Sequence, residues 1–132
     1  MKVVEGKGMP LGRLASYVAK EALKGEEVAV VNCGRVIITG NSKSIEGDFQ
    51  IKRSRIGSSQ KGPKHPATNE KIVKRAIRGM LPNHREGRGR EAFKRVKCYS
   101  KIPENLKSEK LFVLESPKKI KFTQVQDLTK KK

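Results

Sequence analysis

The chain has 132 residues, 35% of them hydrophobic, and carries 31 Lys+Arg against 13 Asp+Glu for a net charge of +18. That length makes one ordinary domain with a modest core, and that charge selects a polyanionic partner, either nucleic acid or an anionic membrane surface. The longest apolar runs, Val28–Val31 and Val36–Ile38, are far too short to span a bilayer, and Met1–Gly6 lacks the apolar stretch of a signal peptide, so a cytoplasmic protein outside any membrane is expected.

In chain order, Lys2–Glu5 is a short strand candidate and Gly6–Pro10 a turn. Leu11, Leu14, Ala15, Val18, Ala19 and Ala22 then recur at helical spacing, with Arg13, Lys20 and Lys24 on the opposite face. Pro10 suits the first helical turn and Gly25 the exit. Val28–Asn32 is a continuous apolar run of the kind buried on both faces of a parallel sheet. Val36–Thr39 is a second β-branched run after the turn Cys33-Gly34-Arg35. Strand, helix and strand within about forty residues make a βαβ unit, and hence an α/β fold.

Ser42–Ile56 is a weaker helix candidate anchored by Ile45, Phe49 and Ile56, with Gly47 as its weak point. Ser58–Pro66 is a loop, because glycine and two prolines forbid a continuous helix or ladder. Thr68 or Asn69 offers an N-cap for a helix with Ile72, Val73, Ala76, Ile77, Met80 and Leu81 on one half of its wheel. Lys71, Lys74, Arg75 and Arg78 fill the other half, and Pro82 ends the helix. Arg90–Lys97 reads as a further short helix with Ala92, Phe93 and Val96 inward and Lys94 and Arg95 outward as further candidates for RNA contact. Beyond Pro103 periodicity fades: Leu111–Leu114 reads as a strand, Phe122–Leu128 as a short helix and Lys130–Lys132 as a basic end. The chain has no internal repeat.

Charge is unevenly distributed along these elements. Residues 1–50 hold 7 Lys+Arg and 6 Asp+Glu, residues 51–100 hold 15 and 3, and residues 101–132 hold 9 and 4. Eight of the ten arginines lie in the middle block, which makes the first part a near-neutral scaffold and the middle a binding surface. Lys52-Arg53-Ser54-Arg55, Lys61, Lys64, the Lys71/Lys74/Arg75/Arg78 face and His84–Arg90 form successive cationic surfaces. Within the last of these, glycines between Arg85, Arg88 and Arg90 allow close backbone approach to phosphate. With no Trp, two Tyr and four Phe, the chain has little to stack on splayed bases, so charge and shape recognition of folded RNA is expected.

Other chemistries find less support. The turn Gly6–Arg13 lies where phosphate-binding loops lie, between a strand and a helix, but it is neither GxGxxG nor GxxxxGK[ST]. Its amides, helped by Lys7 and Arg13, remain candidates for an RNA phosphate. His65 and His84 adjoin no Ser or Cys in a catalytic frame. Glu70, Glu86 and Glu91 are explained by helix capping and by pairing with nearby arginines. Cys33 and Cys98 lack the close spacings of a zinc site, so two buried thiols are expected, with no metal or other cofactor.

Met9-Pro10-Leu11-Gly12-Arg13-Leu14-Ala15-Ser16, Val30-Val31-Asn32 and Ile38-Thr39-Gly40, followed by Arg78-Gly79-Met80-Leu81-Pro82, Gly89, Ala92, Arg95-Val96-Lys97 and Tyr99, resemble the ribosomal protein thirteen family of the large subunit. The resemblance covers roughly residues 3–103, and the loop Gly62–Pro66 is similar to that of the archaeal branch. It implies a three-layer α/β/α domain over residues 1–103, built round a four-stranded parallel sheet, with a basic extension over 104–132. It also implies a non-enzymatic, early-assembling constituent of the large subunit, with rRNA and neighbouring ribosomal proteins as partners and no small-molecule substrate. Family members also repress particular mRNAs, so a free RNA-binding regulator is the alternative. RNA contacts are implied for Lys7, Arg13, the Lys61–His65 loop, Arg75, Arg78, Arg85, Arg88, Arg90 and Lys97, while Met80 and Leu81 are read as buried.

Overall fold

The computed structural model describes residues 1–55, 57–114 and 120–129; the expected anchor Ile56 and the basic end Lys130–Lys132 lie outside them. The chain runs β1 (Lys2–Glu5), α1 (Leu11–Leu23), β2 (Val28–Val31), β3 (Ile37–Thr39), α2 (Ser42–Ser54), α3 (Asn69–Gly79), α4 (Gly87–Lys94), β4 (Val96–Cys98), β5 (Leu111–Phe112), β6 (Phe122–Gln124) and α5 (Val125–Thr129). The main sheet has the order β4-β2-β1-β5, and all three of its pairings are parallel. The expected α/β class, with a four-stranded parallel sheet flanked by helices, is what the structure has.

Alternation along the strands sends side chains to both faces of this sheet. Val4, Val28, Val30 and Val96 meet Leu14, Val18, Ile72, Val73, Ile77 and Ala92 from α1, α3 and α4. Val3, Ala29 and Val31 meet Leu106, which is carried on a single helical turn, Glu104–Leu106. Leu14, Val18, Val28, Val30, Val73 and Ile77 are all fully buried, and each such side chain contributes about 1.5–3 kcal/mol.

α1 forms where its apolar stripe requires. Pro10 occupies the N-cap with extended backbone, and the Gly25 N–H donates to Ala22 O at 3.1 Å. Gly25 has φ +99°, the left-handed conformation that glycine supplies without steric cost. Glu21, buried on the same helix, accepts from the Lys2 ammonium and from Lys24 Nζ at 3.2 Å. Those two hydrogen bonds hold its carboxyl below the usual range.

Three expectations need correction. The helix read over Arg90–Lys97 ends at Lys94, and Val96–Cys98 becomes edge strand β4, because pairing with Val28–Val30 overrides a helix-like spacing of only three residues. β3 does not enter the main sheet; it pairs antiparallel with β6 in a second sheet. The helix read over Phe122–Leu128 therefore opens as that strand and only then turns into α5. Lastly, Met80 is 46% exposed, and Leu81 only partly packs on the core. α3 closes with tight bonds from Met80 N–H to Ile77 O and from Leu81 N–H to Arg78 O, at 3.0 and 3.2 Å. That turn rotates Met80 off the buried stripe.

Cys33 is buried and Cys98 half-buried, both as free thiols. Hydrogen bonding to Cys98 and burial push the Cys33 thiol far above its ordinary pKa, so it behaves as a small core side chain.

Candidate nucleic-acid interface

The basic residues converge because α3 is strongly two-sided. Ile72, Val73 and Ile77 face the core, which turns Lys71, Lys74, Arg75 and Arg78 outward at i, i+3, i+4 and i+7. Across from that face lies the loop Lys64–Thr68, and between them is a cleft of about 500 Å³ that Phe93 of α4 also lines. Arg75 fastens the two walls together, its Nη1 donating to Lys64 O at 3.0 Å. Lys74 Nζ lies 4.8 Å from the centre of the Phe93 ring, and the His84 ring meets the same phenyl group edge-on at 6.2 Å.

His65 lines this cleft and a smaller neighbouring cavity of about 260 Å³, shared with Phe49, Ile72 and Ala76. Burial first, then the charges of Arg75, Lys52 and Arg55, hold the His65 imidazole below its ordinary pKa of 6.5. Those causes also tie the end of α2 to the site, since Lys52 and Arg55 act on a loop ten or more residues further along the chain. Arg53, in the last turn of α2, lies 5.9 Å from the Phe49 ring centre.

The other candidate residues are distributed round this centre or away from it. Lys61 is exposed on the same loop, and Arg85, Arg88 and Arg90 are exposed at the start of α4. Lys94 is exposed and pairs with Glu91 at 3.5 Å; Glu91 thus partners a lysine rather than an arginine, in a solvated contact worth little. Arg95 serves the fold: its Nη1 donates to Ala22 O at 3.1 Å, satisfying a carbonyl at the end of α1. Lys97 is exposed on β4, and Lys7 and Arg13 are exposed at the start of α1, none of them lining the cleft.

Two readings of the glycines change. The turn after β1 has its amides engaged within the chain: Gly6 N–H with Val31 O, Gly8 N–H with Arg35 O, Met9 N–H with Gly6 O, and Lys7 N–H with Glu5 Oε1, all at 2.9–3.2 Å. It holds no cradle for phosphate over Gly6–Met9, so any contact there falls to the Lys7 and Arg13 side chains. Gly89 is needed for packing rather than for approach to RNA, because a Cβ there would lie 2.3 Å from Pro82 O and 2.4 Å from Asn83 O.

Sequence reading missed Pro66, Ala67, Thr68 and Phe93 as parts of the site. Phe93 at helical spacing reads as core, and the one signal of another role was its position beside a dense basic run. No group of three or more His, Cys, Asp and Glu is placed to hold a metal ion among the described residues. None of their helices is long and apolar enough to cross a membrane.

A cationic cleft on a neutral parallel-sheet scaffold defines a polyanion-binding α/β protein. Residues 1–105 match the family model described as ribosomal protein L13. The chain is 42% identical over 132 residues to the large ribosomal subunit protein uL13 of Methanococcus maripaludis, covering 98% of this chain and 95% of that one. It is 45% identical over 111 residues to the protein of that name from Thermoplasma volcanium, covering 84% and 80%. To the Methanocaldococcus jannaschii protein it is 46% identical over 109 residues, covering 80% and 79%. The chain belongs to the ribosomal protein L13 family.

Proposed function

We propose that this protein is a structural, non-enzymatic constituent of the cytoplasmic large ribosomal subunit, holding rRNA by charge and shape and joining the particle early in assembly. The observation that carries this reading, beside family membership, is the convergence of Lys64, His65, Lys71, Lys74, Arg75 and Arg78 on one cleft. Five of these groups are lysines and arginines, gathered from a loop and a helix, and they repel one another unless phosphate neutralises them, while burial and nearby cations keep the His65 imidazole from taking up its proton as readily. Its partners are rRNA and neighbouring ribosomal proteins, with no small-molecule substrate.

Residues 1–103 serve as the RNA-binding domain and residues 104–132 as a basic extension that packs on it or on RNA. The pairing of β5 with β1 and the burial of Leu106, Val125 and Leu128 support the packing. The test is to wash large subunits from the source cells in high salt and quantify the protein by mass spectrometry. One copy per washed subunit is the expected result. Loss into the wash would favour a free regulator acting on mRNA, and absence from ribosomes would overturn the assignment.

A further inference from the structure

The cleft beside α3 contains more than charge. Its rim is cationic, with Lys71, Lys74, Arg75 and Arg78 on one helix face, yet Phe93, Pro66 and Ala67 give it an apolar lining. Phosphate alone needs no apolar surface, and a solvated basic face needs no cleft. At about 500 Å³ it is in the size range of sites for a single small ligand and cannot admit a double helix. A flat apolar group joined to an anion fits this lining, and in RNA that group is one nucleotide outside the base-paired helices.

The geometry at Phe93 indicates how such a group would be held. The phenyl ring is half-buried, propped edge-on by His84 at 6.2 Å and covered by Lys74 Nζ at 4.8 Å. Lys74 sits on a long flexible stem, whereas a base presents a rigid flat face. Stacking of a base on an aromatic ring is the stronger contact at an accessible site, so a base displaces the ammonium, and the ammonium is then free to meet the phosphate of the same nucleotide. Arg75 keeps the opposite wall in place through Lys64 O at 3.0 Å.

We propose that the cleft between the Lys64–Thr68 loop and α3 receives one unpaired nucleotide of the rRNA, its base against Phe93 and its phosphates on Lys71, Lys74 and Arg78. This rests on the RNA-binding reading given above and adds base recognition to an interface otherwise built on charge and shape.

The test compares the full-length wild-type protein with Phe93→Leu and Phe93→Tyr, using a large-subunit rRNA transcript, an unrelated RNA of equal length, and heparin as a polyanion without bases. Phe93→Leu should bind the rRNA transcript about tenfold more weakly, the loss of one stacked base, with its salt dependence unchanged. Phe93→Tyr should stay within about twofold of wild type, because its ring still stacks. Heparin binding should not change in either variant. Wild-type binding of rRNA by Phe93→Leu would overturn the base-in-cleft proposal and leave the RNA-binding reading intact. Equal losses on rRNA and heparin would also overturn it, by showing that Phe93 only props α4. Wild-type protein that fails to prefer the rRNA transcript over unrelated RNA would overturn both readings.

Discussion

Residues 1–50 and residues 51–100 are equal in length and opposite in character. The first stretch, with 7 Lys+Arg against 6 Asp+Glu, supplies β1, α1 and β2, whose valines and alanines are buried on both faces of the sheet. The second, with 15 against 3, supplies α3, α4 and β4, and its described basic side chains stay at least partly accessible. Among its described residues the buried hydrophobic side chains are few, Ile72, Val73, Ile77, Ala92 and Val96, and they pack on α1 and the sheet. A charge-neutral half can collapse without opposing itself. A half with a net charge of +12 needs that half as a template, and it gains more from an anion than from any further internal contact. Changes in the first half should therefore be read in stability and changes in the second in RNA affinity.

The largest expected effect lies in the neutral half. Leu14→Ala removes a fully buried side chain from the centre of the α1 packing and should cost about 3 kcal/mol, read as a lower urea midpoint. The salt dependence of RNA binding by the folded fraction should be unchanged. A changed salt slope would show that the two halves are not separable.

Next comes the complementary pair, Arg78→Glu with Arg88→Glu. RNA affinity should fall about a hundredfold, and the log–log salt slope should drop by about two units, one for each lost phosphate contact. The urea midpoint should hold or rise, because self-repulsion is relieved. Unchanged salt dependence would move the interface away from α3 and α4.

Arg95 gives a sharper contrast, since it lies in the basic block but donates to Ala22 O. Arg95→Met should cost about 1.5 kcal/mol of stability, the value of a charge-assisted bond to a carbonyl, while the salt slope stays at the wild-type value. A fall in slope by one unit would instead return Arg95 to the RNA surface.

The same contrast explains what could be read before folding. The βαβ unit was legible because α1 has a long apolar stripe and Val28–Val31 an unbroken run, both local patterns. β4, with three residues, exists only through its partner β2, since Val96 in isolation continues the spacing of a helix; β5 was legible as a strand over Leu111–Leu114, and its partner β1 pairs with Leu111–Phe112. The cations of the cleft were legible from their spacing on α3. Its walls were not, because the loop is joined to the helix by a side-chain bond across eleven residues, from Arg75 to Lys64. Gly89 misled for a similar reason: the carbonyls of Pro82 and Asn83 that crowd it come from the preceding loop.

A smaller effect should appear with pH. His65 has a folded pKa lowered from 6.5 by burial and by Arg75, Lys52 and Arg55, so the unfolded chain takes up its proton first. Its contribution to stability is intact above pH 6.5 and is lost as pH falls through the lowered folded value. RNA reverses this preference, because phosphate favours the charged imidazole. RNA affinity should thus rise as pH falls below the ordinary value, while free-protein stability declines. His65→Gln should flatten both trends, and a variant that retained the rise would assign it to another group.

The smallest expected effect tests where the neutral half ends. α2 has no buried residue, and Gly47 lies in its middle with nothing within 4 Å of where a Cβ would stand. Gly47→Ala should therefore stabilise the helix by about 0.5–1 kcal/mol through the reduced entropy of the unfolded segment. Because α2 has no buried residue and meets the core through the partly buried Phe49, it should open separately from the sheet. The gain should then appear as amide exchange about two- to fivefold slower within Ser42–Ser54, with the global urea midpoint unchanged. A rise in the global midpoint would mean that α2 folds with the core. Lys52, Arg53 and Arg55 would then be carried by the rigid part of the molecule, and the scaffold would extend past residue 50 to Arg55.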